Sequence, residues 1–463
     1  MHAGAKTLVG QIDPSVLAYT AGEDVQLDRA LVEVDCIGTA AHVTMLQEMA
    51  LSRPLFSTAE KVRVIAALIE VMRRHRAGSF GITAADQDVH LAVERSLTEK
   101  LGDLGKRVHT GRSRNDQVAV DLRLFAKQQL WSVMVETAEL ARVLVTFAAK
   151  HAKVPMAGRT HLQPAMPSSV GLWASAHAES LLDDLELLQE AYRQNDRSPL
   201  GSAAGYGVPL PIDRSRTSEL LGFARPIHNV LYASMARGRC ENVILMALTQ
   251  TMLSVSRLAE DMILFLMPEF GYFRLPPAYC TGSSIMPQKQ NPDVFELARA
   301  RSADVLACSM RVAGILKGLP GGYQRDLQET KAPFMEGLRI TRDTVQVLQP
   351  VMSALMVDES ALRAGFVPGV FATDRALELV AEGVPFRDAY DRVKAEPDAL
   401  EGRDPLAAAM VKQHEGAPGG LDFEGLQLRA AHTIDFVKAQ KECYHRKISV
   451  LLGVDYPSLE NER

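Results

Sequence analysis

Cysteine is scarce in this chain: five in 463 residues, Cys36, Cys240, Cys280, Cys308 and Cys443, with no C-x-x-C pair. That argues against a disulfide framework and predicts a reduced, cytoplasmic protein. Aromatics make up only 6% of the residues, which disfavours a β-sandwich core. No apolar run is long enough to cross a membrane. The best stretch, Met252 to Met267, is short and carries Arg257, Glu260 and Asp261. Met1 to Asp13 lack the apolar segment of a signal peptide. Lys and Arg number 51 against 56 Asp and Glu, a net charge of −5, so nucleic acid is not an expected partner. Neither an H-E-x-x-H nor a G-x-S-x-G string occurs, and the twelve His are not at ligand spacing. The glycine-rich stretch Gly201 to Gly207 lacks the Lys-Ser/Thr of a phosphate loop.

What is present is helix. Long apolar-periodic segments run over about 115–150, 169–195, 229–267, 292–316 and 334–355, with Gly and Pro gathered between them. A helix of ~35 residues spans ~50 Å, so several of them suggest an elongated bundle. The expected fold is all-α with three helical domains, 1–111, 112–360 and 361–463, the middle one a long-helix bundle. Pairs such as Leu181-Leu182 and Leu187-Leu188 make these helices apolar nearly all round. Such helices need cover on several sides, which predicts an oligomer.

Polar residues collect at the breaks. His109-Thr110-Gly111-Arg112-Ser113-Arg114-Asn115-Asp116-Gln117 enters the first long helix. Ser113 or Asn115 suits its N-cap, and the arginines beside a helix N-terminus suit a carboxylate. A capped helix with solvated arginines fits the same string. Arg159-Thr160-His161-Leu162-Gln163-Pro164 sets a His on a Gly- and Pro-flanked loop, free to titrate near neutrality or simply exposed. Gly282-Ser283-Ser284-Ile285-Met286-Pro287-Gln288-Lys289-Gln290-Asn291-Pro292 reads as a loop feeding a helix, with Asn291 as N-cap and Pro292 at the first helical position. It is either a reactive loop or a plain connector. Glu296 follows one turn later, placed to orient a His or to sit in solvent. Tyr323, Gln328 and Lys331 fall in a fourth polar break, a charged turn or a substrate wall.

Together and in this order, these strings resemble the fumarase/aspartase superfamily and, within it, the argininosuccinate lyase family, to which the delta crystallins are related. The 282–292 loop matches the superfamily's G-S-S-x-M-P-x-K-x-N-P signature, and 109–117 matches the lyases' own H-T-G-R-S-R-N-D-Q. The resemblance covers almost the whole chain, including Ala372-Thr373-Asp374 and Gly383 to Arg387. It implies a homotetramer whose active sites are shared between subunits, and elimination of argininosuccinate to L-arginine and fumarate without cofactor or metal.

The resemblance also implies roles. Ser283 corresponds to the base, His161 to the acid or its support, Glu296 to the partner of that His, and Lys289 to a catalytic cation. Arg114, Asn115, Thr160, Asn291, Tyr323, Gln328, Lys331, Arg237 and Asp28 correspond to substrate-binding positions. The 282–291 loop is implied to be a mobile lid. The chain departs from the pattern at Asp24, where the family often has a substrate-binding Ser. Tyr232 and Ala236 stand near Arg237 in place of acidic residues, Met166 in place of a Gln, and Gln290 in place of a Lys. Two other readings accommodate these departures: a lyase for another N-substituted aspartate, and a non-catalytic crystallin-like relative.

Overall fold

Small polar residues just outside the apolar segments start several of the helices: Ser57, Asp88, Ser113, Ser169 and Asp422 each accept from a backbone N–H of the first turn. The computed structural model describes residues 6–7, 10–11 and 13–460. Its main helices are α1 (Val32–Glu48), α2 (Thr58–Arg76), α3 (Val89–Leu101), α4 (Arg114–Lys150), α5 (Val170–Asn195), α6 (Arg239–Leu266), α7 (Asp293–Leu316), α8 (Lys331–Ser353) and α9 (Phe423–Leu452). The strands are short. The longest pair, β1 (Pro155–Thr160) and β2 (Gln163–Ser169), forms an antiparallel hairpin between α4 and α5. The fold is all-α. Among the described residues no helix is long and apolar enough to cross a membrane.

Ser113 caps α4, accepting from the Asn115 N–H at 3.3 Å, while Asp116 Oδ1 accepts from the Ser113 N–H at 2.9 Å. This reciprocal box satisfies donors the helix start leaves open. The other oxygen of Asp116 accepts from the N–H groups of Gly201 and Ala203 at 3.0 and 2.9 Å. The glycine-rich stretch is thus a backbone cradle for a buried carboxylate. Ser169 caps α5 through the Leu172 N–H at 3.1 Å.

Four expectations change. The segment expected as one helix over 229–267 breaks into Val230–Met235 and α6. Gly238 sits between them at φ 78°, and a Cβ there would lie 2.5 Å from Leu316 Cδ2. The helix expected over 334–355 is α8 and begins at Lys331, upstream of Pro333, because Pro in a first turn costs no intrahelical bond. Asn291 does not cap α7: it bridges back to Thr281 (N–H to carbonyl, 2.9 and 3.1 Å), and the helix starts at Asp293. The loop expected around His161 is the tight turn of the β1–β2 hairpin, with His161 and Leu162 at φ 54° and 60°.

The helices run antiparallel in sequence order. α4 leads away from Arg114, and at its far end Phe147 packs on Phe273, whose ring in turn meets Trp173 at the start of α5. α5 returns, so that Asn195 at its end donates to the Arg123 carbonyl at 2.9 Å. α6 leads out again, α7 back and α8 out. One apolar core runs through these helices, the N-terminal helices and α9; a second, small core joins Phe371, Ala376, Ala389, Val393 and Leu400. Met246 and Leu253 on α6, Leu306 and Met310 on α7, and Val347 on α8 remain exposed.

Candidate active site

Because the helices alternate in direction, every break lies at one end of the bundle or the other. α4 has 37 residues and α7 has 24, so the ends are ~35–55 Å apart at 1.5 Å per residue.

At the first end stand the start of α4, the turn before α6 and the segment leading into α8. They bring together seven of the predicted residues, Asp28, Arg114, Asn115, Arg237, Tyr323, Gln328 and Lys331, around one cleft of about 110 Å³. Lys331 is 1% exposed and donates to the fully buried Asp28. Its Nζ also lies 2.9 Å from Asp24 Oδ1. Asp28 holds the start of α3 as well, accepting from the Val89 N–H at 3.1 Å. Arg114 donates to Asp88 at 2.8 Å. The Arg237 guanidinium is buried and stands 5.8 Å from the centre of the Tyr323 ring; its Nε has no partner. Gln328 Nε2 donates to the carbonyls of Thr20 and Ala21 at 3.1 and 3.3 Å, which fixes the turn preceding Asp24.

Asp35, His90 and Asp121 form a buried cluster at this cleft, with one side-chain nitrogen or oxygen of each within 4.8 Å of the others. His90 Nδ1 is 2.7 Å from Asp35 and 3.5 Å from Asp121. Burial works against the imidazolium, but the hydrogen bond and charge of Asp35, with Asp88 and Asp28 further off, outweigh it and raise the pKa above the ordinary value. Burial, reinforced by the charges of Asp35 and Asp28, pushes the Asp121 carboxyl well above the carboxylate range. Burial also raises Asp24, with Lys331 opposing.

Gln87, Asp88, His90 and Arg325 also line the cleft and were not anticipated. Asp88 is the N-cap of α3, accepting from the Leu91 N–H at 2.9 Å. An Asp before a helix and a His within one carry no sign that they face a cleft.

At the second end stand the other predicted residues: Thr160 and His161 at the hairpin turn, Ser283, Lys289 and Asn291 in the loop before α7, and Glu296 in its first turn. The Thr281–Asn291 bridge closes this loop at its base, and the Thr281 hydroxyl donates to Asp293. The Ser283 hydroxyl accepts from the N–H groups of Ile285 and Met286 at 3.3 and 3.2 Å. Between these points the loop is exposed, Ile285 to 82%. His161, Lys289 and Glu296 are exposed too. Glu296 and His161 share no hydrogen bond or ion pair among the described residues. One chain therefore holds a charged cleft at one end and, at the other, Ser283, His161, Lys289 and Glu296 on a loop, a hairpin turn and a helix start.

This long-helix architecture recurs in known lyases. EDDS lyase in complex with formate matches 99% of this chain and 98% of its own, with TM-score 0.76 and 21% identity. The native fumarate lyase:delta crystallin of Brucella melitensis matches 92% and 98%, with TM-score 0.69 and 19% identity. Those identities carry the fold alone. A family model described as Lyase matches residues 22–307. At the sequence level, an argininosuccinate lyase of Sorangium cellulosum is 43% identical over 91% of this chain and 96% of its own. Another, of Xylella fastidiosa strain 9a5c, is 39% identical over 90% and 93%. The architecture is that of the lyases with long-helix bundles. Within them, the chain belongs to the argininosuccinate lyase family.

Proposed function

We propose that this enzyme cleaves argininosuccinate to L-arginine and fumarate, and catalyses the reverse addition. The observation that carries the reading is the sorting of the motif-matched residues into two sets, one at each end of a long bundle. The charged cleft suits a substrate bearing carboxylates and cations. The exposed set carries the groups an elimination needs. Ser283 removes a proton from the carbon beside a succinyl carboxylate. The C–N bond then breaks, its electron pair leaves with the guanidine nitrogen, and the electrons of the C–H bond form the C=C of fumarate.

Negative charge builds on the carboxylate in that step, and Lys289 and Asn291 stabilise it as oxyanion donors do. A guanidine is strongly basic and must leave protonated; His161, supported by Glu296, supplies or relays that proton. A neutral hydroxyl is a poor base. Ser283 needs a positive, water-poor surrounding to ionise, and an exposed loop must close over substrate to provide it. Thr160 completes the substrate contacts at this end.

The ~35–55 Å between the two ends exceeds the length of the substrate. We therefore assign each active site to more than one subunit of a homotetramer, the far end of one chain meeting the cleft of another. The exposed Met246, Leu253, Leu306 and Met310 supply apolar surface for that assembly. The chain divides at 111/112 and 360/361, with α9 of the last part packed into the main core, and the enzyme acts in the cytoplasm, serving arginine biosynthesis. The test is direct: argininosuccinate is added to purified protein and fumarate is followed by its ultraviolet absorbance. Equal amounts of fumarate and arginine are expected; no fumarate from the folded protein would overturn the reading.

A further inference from the structure

We propose that Asp24 is a specificity-determining residue, the anionic half of a zwitterion clamp, with Arg237 its cationic half, that recognises the amino-acid end of the amine product. This rests on the lyase reading and deepens it.

The charges in the cleft do not pair off evenly. Arg114 has Asp88. Lys331 has two carboxylates, Asp24 at 2.9 Å and Asp28 in direct contact. Two carboxylates and one ammonium leave one negative charge over. Asp28 is fully buried and further tied to the Val89 N–H, so the surplus falls on Asp24. That side chain lines the cleft and keeps 13% exposure, and Lys331 meets it at Oδ1. Oδ2 accepts no hydrogen bond among the described residues.

Arg237 is the converse. It is 6% exposed, makes no ion pair among the described residues, and its Nε is buried without a partner. It lies over Tyr323 on the same cleft. A half-buried anion with a free oxygen and a buried cation with a free donor, on one small cleft, fit a ligand bearing both charges. The amine half of argininosuccinate ends in an α-ammonium and an α-carboxylate on one carbon. Asp24 takes the ammonium and Arg237 the carboxylate. Unpaired charges in such a cleft also reject ligands that lack one of the two groups.

The test uses addition to fumarate by the full-length enzyme, comparing L-arginine with Nα-acetyl-L-arginine, which keeps the carboxylate and loses the ammonium. The wild type is expected to have a KM for arginine at least ~10-fold below that for the acetylated amine, the worth of a charge-assisted hydrogen bond. Asp24→Asn, which preserves shape, and Asp24→Ser are both expected to raise the KM for arginine ~10-fold or more. The KM for fumarate and for the acetylated amine should stay within about twofold, so the preference collapses. An undiminished preference in both variants would overturn the inference, as would an equal loss with both amines, which marks a structural role. A wild type that adds neither amine would overturn the lyase reading and the inference with it; an active wild type with unselective losses removes the inference alone.

Discussion

Asp116 offers a sharp test of how the first end of the bundle is built. Its Oδ1 accepts from the Ser113 N–H at 2.9 Å and its Oδ2 from the N–H groups of Gly201 and Ala203 at 3.0 and 2.9 Å. The side chain is 1% exposed, so water does not replace it. Asp116→Ala leaves three backbone donors without a partner. At the lower bound of ~1 kcal/mol for each orphaned donor, the loss is about 3 kcal/mol; the low bound applies because removing a buried carboxylate also removes its desolvation cost. Asp116→Asn keeps one acceptor oxygen. It can serve the Gly201 and Ala203 pair and orphan Ser113 alone, a loss of about 1 kcal/mol. Urea unfolding is followed by helix ellipticity and by the fluorescence of Trp131 and Trp173, at fixed protein concentration because assembly shifts the midpoint. The expected order is wild type, then Asn, then Ala. An Ala variant within about 1 kcal/mol of wild type would refute the claim that this carboxylate holds the glycine-rich stretch against α4.

Ser283→Ala should lower turnover by at least ~10²-fold with an unchanged circular-dichroism spectrum; near-normal turnover would remove Ser283 as the base. Gly238→Ala forces a side chain into φ 78° and within 2.5 Å of Leu316 Cδ2, for a cost of about 2–4 kcal/mol. Since Arg237 is adjacent, the KM for argininosuccinate should rise more than kcat falls, and equal thermal midpoints for variant and wild type would contradict the packing argument. His90 is raised above its ordinary value in the fold, so the stability it contributes is complete below about pH 6.5 and drains as pH rises through the raised value. The thermal midpoint should therefore fall less between about pH 6 and about pH 8 in His90→Gln than in wild type; parallel profiles would show that His90 does not titrate in the fold as described.

The five long helices of the bundle were legible because Gly and Pro mark their ends, and Ser113 and Ser169 cap as their residue type suggests, whereas α1, α2, α3 and α9 were not placed from the sequence. The errors have particular causes. Gly238 sits in an otherwise helical pattern, and its need for a positive φ comes from the packing of Leu316, distant in sequence. The helix expected over 334–355 starts at Lys331, three residues earlier, because the missing N–H of Pro333 costs nothing in a first turn. The β1–β2 hairpin carries Pro155, Pro164 and Pro167 and has a register irregularity between Gly158 and Arg159, so no strand-like alternation shows. In the cleft, Arg114, Asn115, Tyr323, Gln328 and Lys331 stand in recognisable strings. Asp88 and His90 do not, since one looks like an ordinary cap and the other like a core His. The separation of the two sets was implicit in helix lengths and alternating direction; no single motif expresses it.

The central claim is that a working site combines the cleft end of one chain with the loop end of another. Ser283→Ala, at the loop end, and Asn115→Ala, at the cleft end, are each expected to be nearly inactive when assembled alone. The measurement is fumarate release after the two variants are co-expressed, with mixed oligomers verified by a tag on one of them. Mixed oligomers will contain some sites with both ends intact, so activity well above either parent is predicted. Mixed oligomers as inactive as their parents would contradict a site shared between subunits.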